Sequence, residues 1–474
     1  MIDISLRDTR AAARPRLEAP RAHLVGIRGA GMRSLANLLD EAGWRVSGSD
    51  LAGAAPDDDR FDVRRGHDAR AIELAFDVVV HSDAVPRNNP ELRRAEALGI
   101  ETLSYSRMLA RLMQPHTGVA VAGTHGKSTT TAMASEILLT AELDPTYVVG
   151  ATSIGGVSGG HSGRGRTMVV EACEYRANFC QLQADIAAVL NVEPDHFDWF
   201  ESHAQLKAAF RRFVRQVPSS GLVLARADCA TTTEIVKHLD CTVETFGMKD
   251  TSTWQARNLS SRRGYYSFEL CCRGQRVCAV KLPVPGRHNV YNAVAAAALA
   301  SHCGASAGAV RTALESFTGL RRRLQLLGEV RDVALVDDYA HHPTEVAAAI
   351  AALREMYPGR RLICAFQPHQ ASRLAHLLDE FARSLENADK IVVADVFAAR
   401  ESSSQPRAIR AEHLAERLQA LGCDALHLAS AAQIVNHLKT SLLPGDVLVT
   451  MGAGDIGTVA HELGKGLRTF RKAG

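Results

Sequence analysis

Lys127 and Ser128 follow Gly126 in the run Val119-Ala120-Val121-Ala122-Gly123-Thr124-His125-Gly126-Lys127-Ser128-Thr129, and these residue types in this order can hold a phosphate chain. Glycines let backbone amides close on phosphate oxygens, and a following helix adds the partial positive charge of its N-terminus. Lys127 supplies a cation and the Ser128 hydroxyl a magnesium ligand. The spacing departs from the usual phosphate loop, because only Thr124 and His125 lie between Gly123 and Gly126 where four residues are usual. A nucleotide site with ATP as its occupant is the expectation. Glu171, in Met168-Val169-Val170-Glu171-Ala172-Cys173-Glu174, ends an apolar strand, where it can complete a magnesium site with Ser128 because magnesium takes oxygen ligands. A solvated strand-end acid is the other reading of Glu171 or Glu174. His196 closes Asn191-Val192-Glu193-Pro194-Asp195-His196 after another apolar strand, and can orient a second metal or a reacting group, or be structural.

These residues need strands that end together. A first unit opens at His23-Leu24-Val25-Gly26 and runs through Gly29-Ala30-Gly31 into a helical pattern at Leu35, Leu38 and Leu39. Its second strand ends at Gly48-Ser49-Asp50, where a carboxylate can meet a ribose, and Phe76 to Ser82 reads as a further buried strand. The glycines run G-x-x-G-x-G, a weak pattern that suits a structural turn as well as a dinucleotide site. A central unit opens at the phosphate loop, with antiparallel strands expected over Thr251 to Pro285 and a helix from Asn289. A third unit has strands at Val333 to Asp338, Leu362 to Phe366, Ile391 to Ala394 and Val447 to Val449. The expected organisation is α/β with three domains: residues 21–114, 115–326 and 327–474, after a disordered arm over 1–20.

The 474 residues suffice for about three cores, and the net charge of +3 is spread over interleaved acids and bases, so no nucleic-acid-binding face is indicated. The arginine-rich start, Arg7 to Arg21, lacks an apolar signal-peptide core, and no membrane span is evident. Ten scattered cysteines form no C-x-x-C pair, which argues against a zinc ribbon or a disulfide framework and suits the cytoplasm.

Together with Asp195-His196, Gly286-Arg287-His288-Asn289, Arg322-Arg323, Asp337-Asp338-Tyr339-Ala340-His341-His342-Pro343, Phe366-Gln367-Pro368-His369 and Gly452-Ala453-Gly454-Asp455, the loop resembles the Mur ligases. The likeness extends from His23 to the last strand. It implies a Rossmann-like N-terminal domain for a UDP-sugar, a central ATPase with a small antiparallel sheet, and a Rossmann-like C-terminal domain for an amino acid. By position, Gly123, Thr124, His125, Gly126, Lys127, Ser128 and Thr129 would hold the ATP phosphates. Ser128 and Glu171 would bind one magnesium ion and His196 a second. Asn289 would meet adenine, Asp338 the ribose, and Arg322 or Arg323 the γ-phosphate. Gly29, Ala30, Gly31, Asp50, His67 and Ser82 would contact the UDP-sugar, and Tyr339, His369 and Arg373 the amino acid. Lys127, Glu171, His196 and one of His341 and His342 would take part in catalysis, the last in a proton role.

The pattern is most similar to the branch that joins L-alanine to UDP-N-acetylmuramate, as a monomer or homodimer. Phe210 stands where sister branches carry a carbamylated lysine, and Gln370 replaces a family arginine, which bears on amino-acid identity. A tripeptide-adding branch usually has an insertion between the metal glutamate and Asp-His, whereas 24 residues separate Glu171 from His196 here. A nicotinamide-dependent dehydrogenase built on Gly26 to Asp50 would leave the Lys127 loop unexplained. Three units converging on one acyl phosphate imply domain closure.

Overall fold

In a computed structural model, residues 19–51, 60–155, 159–399 and 409–469 are described, and the arm expected over 1–20 falls almost wholly outside them. Three sheets organise these residues, of five, ten and six strands.

The first sheet is parallel throughout, in the order Asp62–Arg65, Arg45–Asp50, Arg21–Val25, Val78–His81, Glu101–Ser104. Chain order reverses beside Arg21–Val25, which opens a crevice at the carboxyl ends of that strand and Val78–His81. The helix Ala30–Glu41 starts there, its N-cap Gly29 making no side-chain cap bond. Its amides therefore face the crevice.

In the second sheet Thr117–Ala122 lies between Thr167–Ala172 and Ile186–Val189, all parallel. Parallel neighbours end at the same edge, so the residues after each strand are brought together: Gly123 to Lys127, Cys173 to Glu174, and Leu190 to His196. The antiparallel strands Trp254–Arg262, Tyr265–Cys272 and Gln275–Pro285 do form. They extend this same sheet rather than making one of their own, because Phe246 and Gly247 pair in parallel with Trp254 and Gln255. Helix Arg287–His302 is buried nearly all round, and its alanines at 293, 295–298 and 300 are fully covered. Small side chains let it pack closely against the helix Lys127–Thr140 and the sheet.

The third sheet runs Gln325–Val330, Val333–Asp338, Val447–Met451, Leu362–Phe366, Lys390–Val393, Ala425–His427, with the first strand antiparallel. The antiparallel strand starts at Gln325, inside the stretch assigned from sequence to the central unit. The first and second units meet where Ser34 Oγ donates to Val149 O at 2.7 Å, and a Cβ at Gly160 would lie 1.9 Å from Ser34 O. No helix among the described residues is long and apolar enough to cross a membrane.

Candidate active site

The phosphate loop requires its glycines. Gly126 has φ 84° and caps the helix that starts at Lys127; a Cβ there would lie 2.5 Å from Asn292 Oδ1. Gly123 has φ 149°, and its Cβ would meet Leu190 Cβ at 3.0 Å. Asn191 holds the loop from the neighbouring strand end: its Oδ1 accepts from His125 N at 2.7 Å and its Nδ2 donates to His125 O at 3.0 Å. The Thr124 hydroxyl accepts from Glu193 N at 2.9 Å.

Lys127 Nζ is 2.9 Å from Glu174 and donates to Thr124 O at 3.1 Å. Burial works against this charge, but Glu174 outweighs it and holds the ammonium above its usual range. Glu174 is 2% exposed and also lies 3.3 Å from His196 Nε2. Burial raises its carboxyl, yet Lys127 and His196 keep it below the usual range. Ser128 Oγ donates to Glu171 Oε2 at 3.1 Å, and Gly150 N donates to the other oxygen. Burial dominates at Glu171 and pushes its carboxyl upward, over the opposing effects of Gly150 N and Lys127. A partly buried carboxylate beside a hydroxyl suits a hard divalent cation, so the pair fits magnesium. His196 faces Glu174 rather than this pair. Phe210, where sister branches have lysine, is fully buried and edge-on to Phe179.

Beside the loop lies a cavity of about 360 Å³, within the range of small-molecule sites. His125, Gly126, Thr129, Asn289 and Asp338 line it, with Phe246, Val284 and Phe317 supplying apolar walls. Arg226 lies 3.7 Å over the Tyr291 ring, both on the cavity wall. Asn289 Nδ2 donates to Pro285 O at 2.7 Å, and Asn292 Nδ2 donates to Asn289 Oδ1 at 3.0 Å. Arg323 also lines the cavity, whereas Arg322 does not. Arg322 Nη2 donates to Gly452 O at 2.6 Å and its Nε lies 3.4 Å from Asp337, so of the two arginines Arg323 is the one turned to the cavity. Tyr339 lies against both guanidinium groups at 5.1 Å, and so stiffens this turn.

Asp338 accepts from Leu324 N at 2.6 Å and Ala340 N at 2.7 Å. Burial nonetheless pushes its carboxyl from 3.8 up to about 6, over the opposing Arg323 charge and the two amides. A raised carboxyl favours the folded state while protonated. That contribution is complete below about pH 4 and is lost as pH rises through 6, a swing of about 3 kcal/mol. Asp338→Asn stays neutral, so its Tm relative to the unaltered chain should climb between pH 4 and 7. Parallel Tm curves across that window would refute the burial effect.

The two histidines after Asp338 differ. His342 caps the helix Pro343–Met356 by accepting from Thr344 N at 3.3 Å, and its Nε2 donates to Pro194 O at 3.1 Å. His341 Nδ1 donates to Tyr339 O at 3.0 Å, which leaves Nε2 as its acceptor. Burial pushes His341 down to about 4, despite Glu345, so it is neutral near pH 7 and a weak base.

The residues expected to meet the amino acid already have partners within the protein. Arg373 is 2% exposed, its Nε donates to Asp195 Oδ1 at 2.8 Å, and its Nη1 lies 3.0 Å from His369 Nδ1. The clamp expected for an amino-acid carboxylate thus already holds a carboxylate from the central unit. Burial opposes the charge on Asp195, but His196 and Arg373 hold its carboxyl far below the usual range. Gln370, with φ 68°, is buried at the start of the helix Ala371–His376 and presents no charge here.

In the N-terminal crevice, Asp50 Oδ2 accepts from Arg28 N at 2.9 Å. His67 Nδ1 lies 3.0 Å from Ser49 Oγ and 3.4 Å from Glu91, a fully buried acid that also faces His23 at 3.7 Å. Ser82 follows the strand Val78–His81, its Cβ 3.1 Å from a Cβ placed on Gly26. Gly29 to Gly31, Asp50, His67 and Ser82 therefore all stand at the carboxyl ends of the first sheet.

Three family models cover this arrangement in order: the Mur ligase family catalytic domain over residues 21–117, the Mur ligase middle domain over 121–300, and the Mur ligase glutamate ligase domain over 322–454. A UDP-N-acetylmuramate–L-alanine ligase of Acetivibrio thermocellus is 39% identical over 444 residues, 92% of this chain and 93% of that protein. The chain is a Mur ligase. A ligase of the same name from Salinibacter ruber is 38% identical, over 92% of each chain. Among solved structures, the UDP-N-acetylmuramate-alanine ligase of Thermotoga maritima superposes at a TM-score of 0.77 with 26% identity, covering 95% of this chain and 99% of that one. A murein peptide ligase from Psychrobacter arcticus reaches a TM-score of 0.72 at 25% identity, with the same coverage. A Mur ligase of three α/β units leaves no place for the dehydrogenase reading of the Gly26 to Asp50 segment.

Proposed function

We propose that this Mur ligase joins L-alanine to the lactyl carboxylate of UDP-N-acetylmuramate with hydrolysis of ATP to ADP and phosphate. The observation that carries the reading is the run of relatives bearing that name at 36–39% identity across more than nine-tenths of the chain. The murein peptide ligase shares the fold, and its lower superposition gives no reason to prefer a tripeptide as the incoming amine.

The sugar carboxylate is a poor electrophile. Its oxygen attacks the γ-phosphorus of ATP, ADP departs, and an acyl phosphate forms. The cavity holds the nucleoside, with Asn289 on the base and Asp338 on the ribose, while the amides of Gly123 to Thr129 surround the phosphates. Lys127 neutralises charge that develops on the transferred oxygens. Ser128 and Glu171 would hold magnesium, and His196 stands by a second position; such an ion would add further charge neutralisation at the phosphates. Arg323 reaches the same phosphates from the turn between the central and C-terminal units. The UDP moiety lies along Gly29 to Gly31 at an open helix N-terminus, with Asp50, His67 and Ser82 around it.

The neutral amine of alanine then attacks the acyl carbon, and the tetrahedral intermediate expels phosphate, which takes up the proton that the nitrogen loses as the amide forms. His341, neutral and with a free Nε2, receives a hydrogen bond from that amine and orients it, rather than storing a full proton. Tyr339, His369 and Arg373 surround this step, and Arg373 exchanges Asp195 for the substrate carboxylate as the units close. A coupled assay checks the reading: phosphate release should need ATP, UDP-N-acetylmuramate and L-alanine together, and amide product should equal phosphate released. Amide formed without nucleotide consumption would overturn it.

A further inference from the structure

Beside the nucleotide cavity, side chains from two units turn three ligand atoms on one point. His125 Nδ1 is held by Glu345 at 3.0 Å, while its Nε2 is buried without a hydrogen-bond partner, 3.4 Å from Glu193 Oε2. His342 Nε2 donates to Pro194 O, which turns Nδ1 to 3.8 Å from the same Glu193 oxygen. The two rings lie 4.6 Å apart, and the three ligand atoms all fall within 4.8 Å of one another. A tetrahedral ion with bonds of about 2.1 Å places its ligand atoms about 3.4 Å apart. Two edges of such a figure are therefore nearly in place.

We infer that His125, Glu193 and His342 form a binding site for one transition-metal ion of the zinc class, closed across the central and C-terminal units, with water in the fourth position. Each imidazole has its other nitrogen fixed, by a carboxylate at His125 and by a carbonyl at His342, which is how metal-bound histidines are oriented. Two imidazoles and one carboxylate suit zinc or cobalt, whereas the all-oxygen pair of Ser128 and Glu171 suits magnesium. Binding replaces the 3.3 Å cap from Thr344 N on His342 Nδ1 and leaves the Thr344 hydroxyl on Glu193. The proton that His125 otherwise holds between Glu193 and Glu345 goes to solvent. The site shares His125 and Glu193 with the wall of the nucleotide cavity and joins segments 217 residues apart, between His125 and His342.

The other such triad among the described residues, Asp395, Glu412 and His427, is more exposed, and His427 Nε2 is already 2.8 Å from Asp395. It serves as the control. The test titrates the chelator-treated full chain with zinc against a chromophoric competitor, and with cobalt by visible absorption. One tight ion per chain is expected, with a four-coordinate nitrogen–oxygen cobalt spectrum. Glu193→Gln and His342→Ala should each lose more than about 100-fold in affinity, and Glu345→Gln about 10- to 100-fold. His427→Ala should change nothing. Circular dichroism checks folding, and the isosteric Glu193→Gln decides the matter where His342→Ala does not fold. Tight binding indifferent to Glu193→Gln, binding lost in His427→Ala, or an intense sulfur-to-cobalt band would overturn the site.

Discussion

Lys127→Ala is expected to slow phosphoryl transfer by at least about a thousandfold while leaving UDP-sugar affinity within about twofold. Lys127 is the first residue of the helix that follows the loop, so its cation and the partial positive charge of the helix N-terminus stand together there. The crevice proposed for the UDP-sugar is built on a different sheet, and no residue assigned to it touches Lys127. The substitution also strands Glu174, buried and left with His196 alone, so a loss of stability of about 3–5 kcal/mol accompanies the kinetic loss. Lys127→Ala/Glu174→Gln separates the two effects, since it should regain stability and remain inactive. Calorimetry with the UDP-sugar and phosphate release measure both quantities. Turnover within tenfold of the unaltered enzyme, or loss of both ATP and sugar binding in a folded variant, would refute the assignment.

Arg373→Ala is expected to be the most damaging change outside the phosphate loop. Both members of the Arg373–Asp195 pair are nearly fully buried, at 3% and 6% exposure, and they belong to different units. Removing the cation leaves Asp195 charged with only His196 near it, which costs about 3–5 kcal/mol, or a Tm lower by roughly 6–20 °C. Arg373→Ala/Asp195→Ala should recover more than half of that loss, because the stranded charge goes with it. The KM for alanine should rise in both variants, as neither retains a guanidinium for the substrate carboxylate. A single variant as stable as the unaltered protein, or a KM unchanged in both, would sink the respective part of this account.

What the sequence revealed was carried by contiguous runs. Gly123 to Thr129 directly follow an apolar strand, Glu171 is the next-to-last residue of its neighbour, and His196 lies seven residues beyond a third; parallel pairing brings such strand ends together whatever the connecting lengths. Side-chain partners were less accessible. Asn191 and Glu193 look like ordinary strand-end residues, and nothing local says that they fasten His125, some 66 positions away. Asp195 and Arg373 are separated by 178 positions, so the pair is written in tertiary packing alone. Arg322 and Arg323 are adjacent and alike in type; a φ of 58° at Arg322 turns it toward Gly452 and leaves Arg323 on the cavity. The antiparallel strands were visible in their alternation, but their fusion to the parallel sheet depends on two pairings at its edge, Phe246 with Trp254 and Gly247 with Gln255.

The two junctions of the molecule differ in mechanical slack. At Gly160 the central unit rests on the backbone of the first with no room for even a methyl group. Any residue but glycine there would act as a wedge. The junction on the far side is held by Arg373 with Asp195 and His125 with Glu345, charged partners that can trade one another for ligand or water. The contact at Gly160 therefore behaves as a fixed anvil, and compliance belongs to the side of the central unit that faces the third.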